Sequence, residues 1–181
     1  MQTTDLNIII EGCSRNELQS QEKLYKLCYN EMIKICFRYA DDADGAGTIF
    51  NNAMLKVYKN IGTYKEQGKL LSWIKTIIIN CCIDFCKKKS VFNKKSLQND
   101  NPHFVIQPDV LNNVSGKEIQ LFIKRLPKAT AVVFNMYVYE GFTHKQIGEI
   151  LEISDGTSKW HLSEAKRYLK NKLEKLIEIE F

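Results

Sequence analysis

Residues 141–169 read GFTHKQIGEILEISDGTSKWHLSEAKRYL, and this stretch decides the fold of the C-terminal part of the chain. Thr143 stands three residues before Gln146, which is the spacing of a capping box at the start of a helix. Ser154, a favoured N-cap residue, begins a second helix after a turn of about three residues. Gly148 is small enough for the second helix to cross the first closely. The stretch therefore predicts a helix-turn-helix.

The second helix of this motif is amphipathic. In a helix-turn-helix the second helix enters the major groove of DNA, and the residues near its N-terminus meet base edges. An ordinary helical hairpin with a solvated outer face is the alternative. The predicted inner face consists of Leu162, Ala165, Leu169, Leu173 and Leu176. The outward candidates for contacting DNA are Ser158, Lys159, Trp160, His161, Ser163, Glu164 and Arg167.

Apolar residues recur with helical period along most of the chain, and no alternating stretch is long enough to compete as a strand. In the N-terminal half, three such stripes, over 24–39, 49–61 and 73–85, predict a bundle of three helices. Gly62 is a suitable C-terminal cap for the second of them.

The stretch between the two halves has the composition of a linker. It is rich in Asn, Gln and Asp, and Pro102 and Pro108 prevent a continuous helix. We therefore expect an all-α protein made of two small helical domains, residues 1–92 and 116–181, joined by a flexible linker over residues 93–115.

The chain has 181 residues, of which 44% are hydrophobic and 26% charged. This composition excludes collagen-like, disordered and disulfide-scaffold classes. The formal charge of +5 is localised, because eight basic and only two acidic residues lie between Thr63 and Ser96. Such a segment indicates a polyanionic partner, with a solvated basic face as the alternative.

The same basic segment contains groups suited to unpaired nucleic acid. The loop over residues 64–69 combines Tyr64 with lysines and a glycine, and aromatic rings beside cations suit unpaired bases and their backbone. Tyr64 could stack on a base or pack inward, whereas Trp73 is expected in the core. A polar helix face follows, made of Thr76, Asn80, Asp84 and Lys87.

Metal binding and catalysis find little support in the residues. The six cysteines and three histidines contain no Cys-x-x-Cys pair, so we expect no metal, no cofactor and buried thiols in a reducing compartment. Nothing local activates a nucleophile, which argues against an enzyme. No signal peptide is visible, and the longest apolar stretch, residues 70–85, contains charges. A cytoplasmic protein without membrane insertion is expected.

Two tracts of the chain resemble the extracytoplasmic-function sigma factors of the sigma-70 family. Residues 53–61 with Trp73 to Ile77 and Asn80 resemble region 2 of that family, and residues 140–148 with Gly156 to Lys159 resemble region 4. The resemblance extends from Leu18 to Leu176. Within the family, the chain resembles in particular the variant common in Bacteroidetes-type bacteria.

The resemblance implies a transcription initiation factor that binds core RNA polymerase and directs it to promoter DNA. The outward residues named above would read the minus-35 element. A further partner expected from the resemblance is an anti-sigma factor. The minus-10 strand would be captured by Tyr64, Lys65, Gly68, Lys69, Asn80, Lys87 and Lys88. The polymerase would be held by Asp44, Thr48, Asn51, Asn52 and Lys56.

The chain departs from the family pattern at three places. Gly45 to Thr48 replace an acidic run, and Glu152 replaces a glycine in the turn, where a left-handed conformation would cost about 1–2 kcal/mol. Glu164 stands at a position that the family usually fills with a basic residue. Two other classes of protein stay open from the residues alone. One is a stand-alone helix-turn-helix regulator, and the other is a helical adaptor that does not contact DNA.

Overall fold

The computed structural model describes residues 3–65, 69–92 and 116–178, and all regular elements in these ranges are helices. The all-α prediction is therefore confirmed, while the predicted linker lies outside the described residues. The chain divides into two compact units, residues 1–89 and 90–181. The N-terminal unit contains α1 (Thr3–Ser14), α2 (Leu18–Tyr39), α3 (Ala43–Asn60) and α4 (Leu70–Phe92). The C-terminal unit contains α5 (Gly116–Lys124), α6 (Lys128–Phe134), α7 (His144–Leu151) and α8 (Asp155–Glu178).

The three predicted apolar stripes of the N-terminal half lie on α2, α3 and α4 and face one core. Leu24, Phe50 and Ile78 are fully buried representatives of the three helices. The prediction of three helices was wrong in one respect, because α1 also packs on α2 and buries Cys13. A short helical signal for α1 was present and was overlooked, since Leu6, Ile10 and Cys13 repeat at spacings of four and three.

All six cysteines are free and buried, which confirms the expectation drawn from their positions. Burial raises the pKa of the Cys28 thiol to about 11. A hydrogen bond with Cys36, together with burial, raises the pKa of Cys82. Because the thiolate is the nucleophilic form, these thiols behave as small core side chains.

Helix α3 begins in spite of its two early glycines because it has a side-chain cap. The Asp42 carboxylate accepts a hydrogen bond from the backbone N–H of Gly45 at 2.7 Å, and Asp44 places a second acid in the first turn. Both acids favour a helix N-terminus. At the other end, Gly62 does not act as a left-handed cap, since the chain continues in a 3-10 turn over Ile61–Thr63.

The C-terminal unit contains the predicted helix-turn-helix. The Thr143 hydroxyl accepts from the backbone N–H of Gln146, and the Gln146 side chain accepts from the backbone N–H of Thr143, which confirms the capping box. Ser154 caps α8 by accepting from the backbone N–H of Thr157 at 3.0 Å. One cluster of the unit's core is formed by Ile123, Leu126, Phe134, Leu162, Ala165 and Leu169.

The turn between α7 and α8 folds directly onto Gly148. The Ile153 N–H donates to the Gly148 carbonyl at 3.0 Å. A Cβ on Gly148 would lie 2.7 Å from the Ile153 carbonyl oxygen. Glu152 adopts the left-handed conformation, with φ 58° and ψ 43°, as the turn requires. The close approach predicted for Gly148 is thus to the turn rather than to the body of the second helix.

Replacing Gly148 by alanine should destabilise the C-terminal unit by about 1–3 kcal/mol, because the new Cβ meets backbone that cannot rotate away. Unfolding in urea, followed by Trp160 fluorescence in a Trp73→Phe background, measures this change in the free energy of unfolding.

Gly156→Ala is the matched control in the same unit. A Cβ there makes only an ordinary 3.7 Å contact with the Ser154 hydroxyl. This variant should be neutral or gain up to about 1 kcal/mol from helix propensity. Equal stability of Gly148→Ala and the wild type would contradict the packing described for the turn.

Candidate nucleic-acid interface

The outer face of α8 presents cationic, aromatic and polar side chains to solvent. Lys159, Ser163 and Arg167 are exposed, and the Trp160 indole is 58% exposed. The Arg167 guanidinium donates to the Glu164 carboxylate at 2.6 Å. Glu164 therefore holds Arg167 at the surface and partly offsets its charge.

Ser158 does not belong to this outer face, so its prediction as an outward DNA contact is wrong. It is fully buried, and its hydroxyl lies 2.9 Å from Nδ1 of His144. The His144 ring stacks on Tyr137 with centroids 4.5 Å apart. The reason is helical geometry, because Ser158 precedes Leu162 by four residues and continues the inner stripe.

His161 lies at the edge between the inner and outer faces. It is half-buried, and its Nδ1 lies 3.0 Å from the Thr130 hydroxyl of α6. Burial lowers the pKa of His161. The Trp160 ring meets the His161 ring edge-on at 4.9 Å, so the inner histidine supports the exposed indole.

In the N-terminal unit, a surface cavity of about 360 Å³ opens at the start of α4. Tyr64 and Trp73 form its aromatic wall, with ring centroids 5.4 Å apart. The Tyr64 hydroxyl accepts from the backbone N–H of Lys69 at 3.1 Å, which orients the ring. Trp73 was expected in the core but is only half-buried and lines the cavity. The cavity is lined by Thr63, Tyr64, Lys65, Lys69, Ser72, Trp73 and Thr76.

The other residues predicted to contact a DNA strand follow the cavity along α4. Asn80 and Lys88 are exposed and Lys87 is half-buried, while Gly68 lies outside the described residues. Asp84 is exposed on the same helix and forms an ion pair of 3.3 Å with Lys56 of α3.

The five residues predicted to hold a polymerase are all exposed on α3. The Asn51 side-chain oxygen accepts from the Tyr25 hydroxyl at 3.0 Å. Leu55, which the sequence reasoning missed, is 65% exposed between them. The signal that could have identified Leu55 is its place in the sequence, one helical turn after Asn51. The five are Asp44, Thr48, Asn51, Asn52 and Lys56.

The described ranges contain no group of three or more His, Cys, Asp or Glu that could hold a metal ion. Within the same residues, no helix has the length and hydropathy of a membrane span.

A chain that combines a helix-turn-helix with a second helical unit is typical of DNA-binding proteins. The family model for sigma-70 region 2 matches residues 24–91, and the model for sigma-70 region 4 matches residues 116–169. Together they span most of the chain. The chain belongs to the sigma-70 family and is a transcription initiation factor that directs RNA polymerase to promoters.

Individual relatives agree with this assignment. The chain is 22% identical to the ECF RNA polymerase sigma factor SigM of Mycobacterium tuberculosis over 77% of this chain and 68% of that protein. It is 24% identical to the ECF RNA polymerase sigma factor SigW of Bacillus subtilis over 86% of each. Its fold is similar to the sigma factor RpoE of Bartonella quintana, crystallised with the anti-sigma factor NepR. The TM-score is 0.52 at 16% identity, over 84% of this chain and 96% of that one.

The stability of the C-terminal unit should depend on pH through His161. Its pKa lies below the ordinary 6.5, so the folded unit binds the proton more weakly than the unfolded chain does. The free energy of unfolding should be highest above the ordinary pKa of 6.5 and should fall as the pH drops from there through the lower pKa of the folded state. His161→Gln should flatten this part of the profile, measured by urea unfolding between about pH 5 and about pH 7.5. An equally steep decline in the variant would contradict a role for His161.

Proposed function

We propose that the chain docks on core RNA polymerase through α3 and contacts promoter DNA at two separated elements. The observation that carries the proposal is the outer face of α8, where Lys159, Trp160, Ser163 and Arg167 project from the second helix of a capped helix-turn-helix. A helix presented in this way suits the major groove.

On this proposal, α8 reads the minus-35 element as duplex. Lys159 and Arg167 neutralise phosphates or donate to guanine, and the Trp160 indole offers an apolar surface to a thymine methyl group. Glu164 acts on DNA mainly by orienting Arg167, to which it is hydrogen-bonded. His161 and Ser158 support the helix from inside, through Thr130 and His144.

The cavity beside Tyr64 and Trp73 is proposed to receive an unpaired base of the minus-10 strand. Its aromatic wall supports this role, because base stacking on aromatic side chains contributes about 1–3 kcal/mol per base. Lys65 and Lys69 at the rim supply charge for the backbone of that strand. The strand continues along α4 over Asn80, Lys87 and Lys88.

The polymerase contact is proposed for the exposed surface of α3. Asp44, Thr48, Asn51 and Asn52 supply polar groups there, and Leu55 adds an apolar anchor of the kind that binding surfaces place at their centre. Tyr25 fixes the Asn51 amide oxygen, so the amide N–H groups point away as donors.

Three further features belong to the proposal. Transcription occurs in the bacterial cytoplasm, so this is the proposed location. An anti-sigma factor is a proposed partner, supported by the one crystallised with the Bartonella quintana protein. The resemblance over Leu18 to Leu176 supports placing the chain with the Bacteroidetes-type variant of the family. A stand-alone regulator is not favoured, since it requires no polymerase-binding unit.

Reversing the charges of Lys159 and Arg167 to Glu should weaken promoter binding by the complex of chain and core polymerase at least about tenfold. The physical reason is the loss of two cations and the gain of two anions against phosphate. Electrophoretic shift of a promoter fragment, mapped from transcripts made with the chain, measures the affinity.

The double reversal Lys26→Glu and Lys34→Glu is the matched control, since both lysines are exposed on α2 and the net charge changes equally. Promoter binding should survive in the control, and binding to core polymerase should survive in both variants. Promoter binding unaffected by the α8 reversal would refute the minus-35 assignment. Tight binding of the chain alone to the duplex would favour the stand-alone regulator.

A further inference from the structure

An acidic side chain lies on the face of α4 assigned to the DNA strand. Asp84 follows Asn80 by four residues, which places the two side chains on the same face one helical turn apart. Between Thr63 and Ser96 the only other acid is Glu66. An uncompensated carboxylate at this place would repel the phosphates that the neighbouring lysines attract.

The structure supplies a compensating charge from another helix. Nζ of Lys56 on α3 lies 3.3 Å from Oδ2 of Asp84, and each side chain is about half exposed, at 53% and 56%. The hydrogen bond to Asp84 raises the pKa of Lys56, so the ammonium group stays charged in the pair. The charge of Lys56 is therefore directed at α4 and away from a partner docked on α3.

We propose that Lys56 serves promoter-strand binding by neutralising Asp84 on the DNA-contacting face of α4, and does not contact the polymerase. This inference rests on the proposed strand contact along α4. It changes the role expected for Lys56 from the family resemblance, and it makes Lys56 a positioning and charge-compensating residue that acts through Asp84.

A purely stabilising role would be the simpler explanation, but exposed ion pairs contribute little to folding stability. Their effect on a nearby phosphate is larger, because one helical turn is shorter than the Debye length of about 10 Å at 0.1 M salt. The effect of removing Lys56 should therefore appear in strand binding, grow at low salt and leave the unfolding transition nearly unchanged.

Four proteins test the inference as complexes with core polymerase: the wild type, Lys56→Met, Asp84→Asn and the double variant. The probe is a fork-junction promoter fragment with a single-stranded nontemplate minus-10 segment. Lys56→Met should weaken probe binding about threefold to tenfold at about 50 mM salt and less at about 200 mM. The double variant should recover the affinity of Asp84→Asn. Core polymerase affinity and the urea midpoint should be the same in all four.

Two results would overturn the inference. A double variant as weak as Lys56→Met would mean that Lys56 contacts the strand directly, and loss of core affinity in Lys56→Met would mean that it contacts the polymerase. The variant Asn80→Ala distinguishes failure of the inference about Lys56 from failure of the proposed strand contact. If Asn80→Ala weakens probe binding and Lys56→Met does not, only the inference fails. If neither variant weakens it, the strand contact along α4 fails as well.

Discussion

Burial of one face of α8 is the interaction on which the C-terminal unit depends. Leu162, Ala165 and Leu169 pack into the core with α5 and α6, and this packing fixes the rotation of α8 about its axis. The outward positions of Lys159 and Trp160 are a consequence of that rotation. The turn that closes onto Gly148 sets where α8 begins, so helix packing and turn geometry together determine which side chains can reach a base.

Polar contacts inside the motif refine this arrangement. His144 joins α7 to Ser158 of α8 and stacks on Tyr137, while His161 joins α8 to Thr130 of α6. Each contact ties a point on the inner side of α8 to a neighbouring element. A helix held at several points loses little conformational entropy when it binds, which favours specific contact with a groove.

The sequence predicted most of the fold, because apolar period and helix caps are local signals. The capping box at Thr143 and the cap at Ser154 could be read directly, whereas α1 was missed although Leu6, Ile10 and Cys13 form a short stripe. Two residues of the site were assigned to the wrong environment. Ser158 was assigned outward, although its spacing from Leu162 indicated the inner face, and Trp73 was assigned to the core. The pairing of Lys56 with Asp84 joins residues on different helices, so no local pattern could predict it.

The proposed function gives the two units different kinds of recognition. On the proposed function, the outer face of α8 and the aromatic cavity at α4 each bind promoter DNA weakly and act strongly together when both are held on one polymerase. Hydroxyl-radical footprinting of a mapped promoter tests this claim most directly. The account predicts two separated patches of protection that appear only when the chain and core polymerase are both present. A single patch, or full protection by the chain alone, would contradict it.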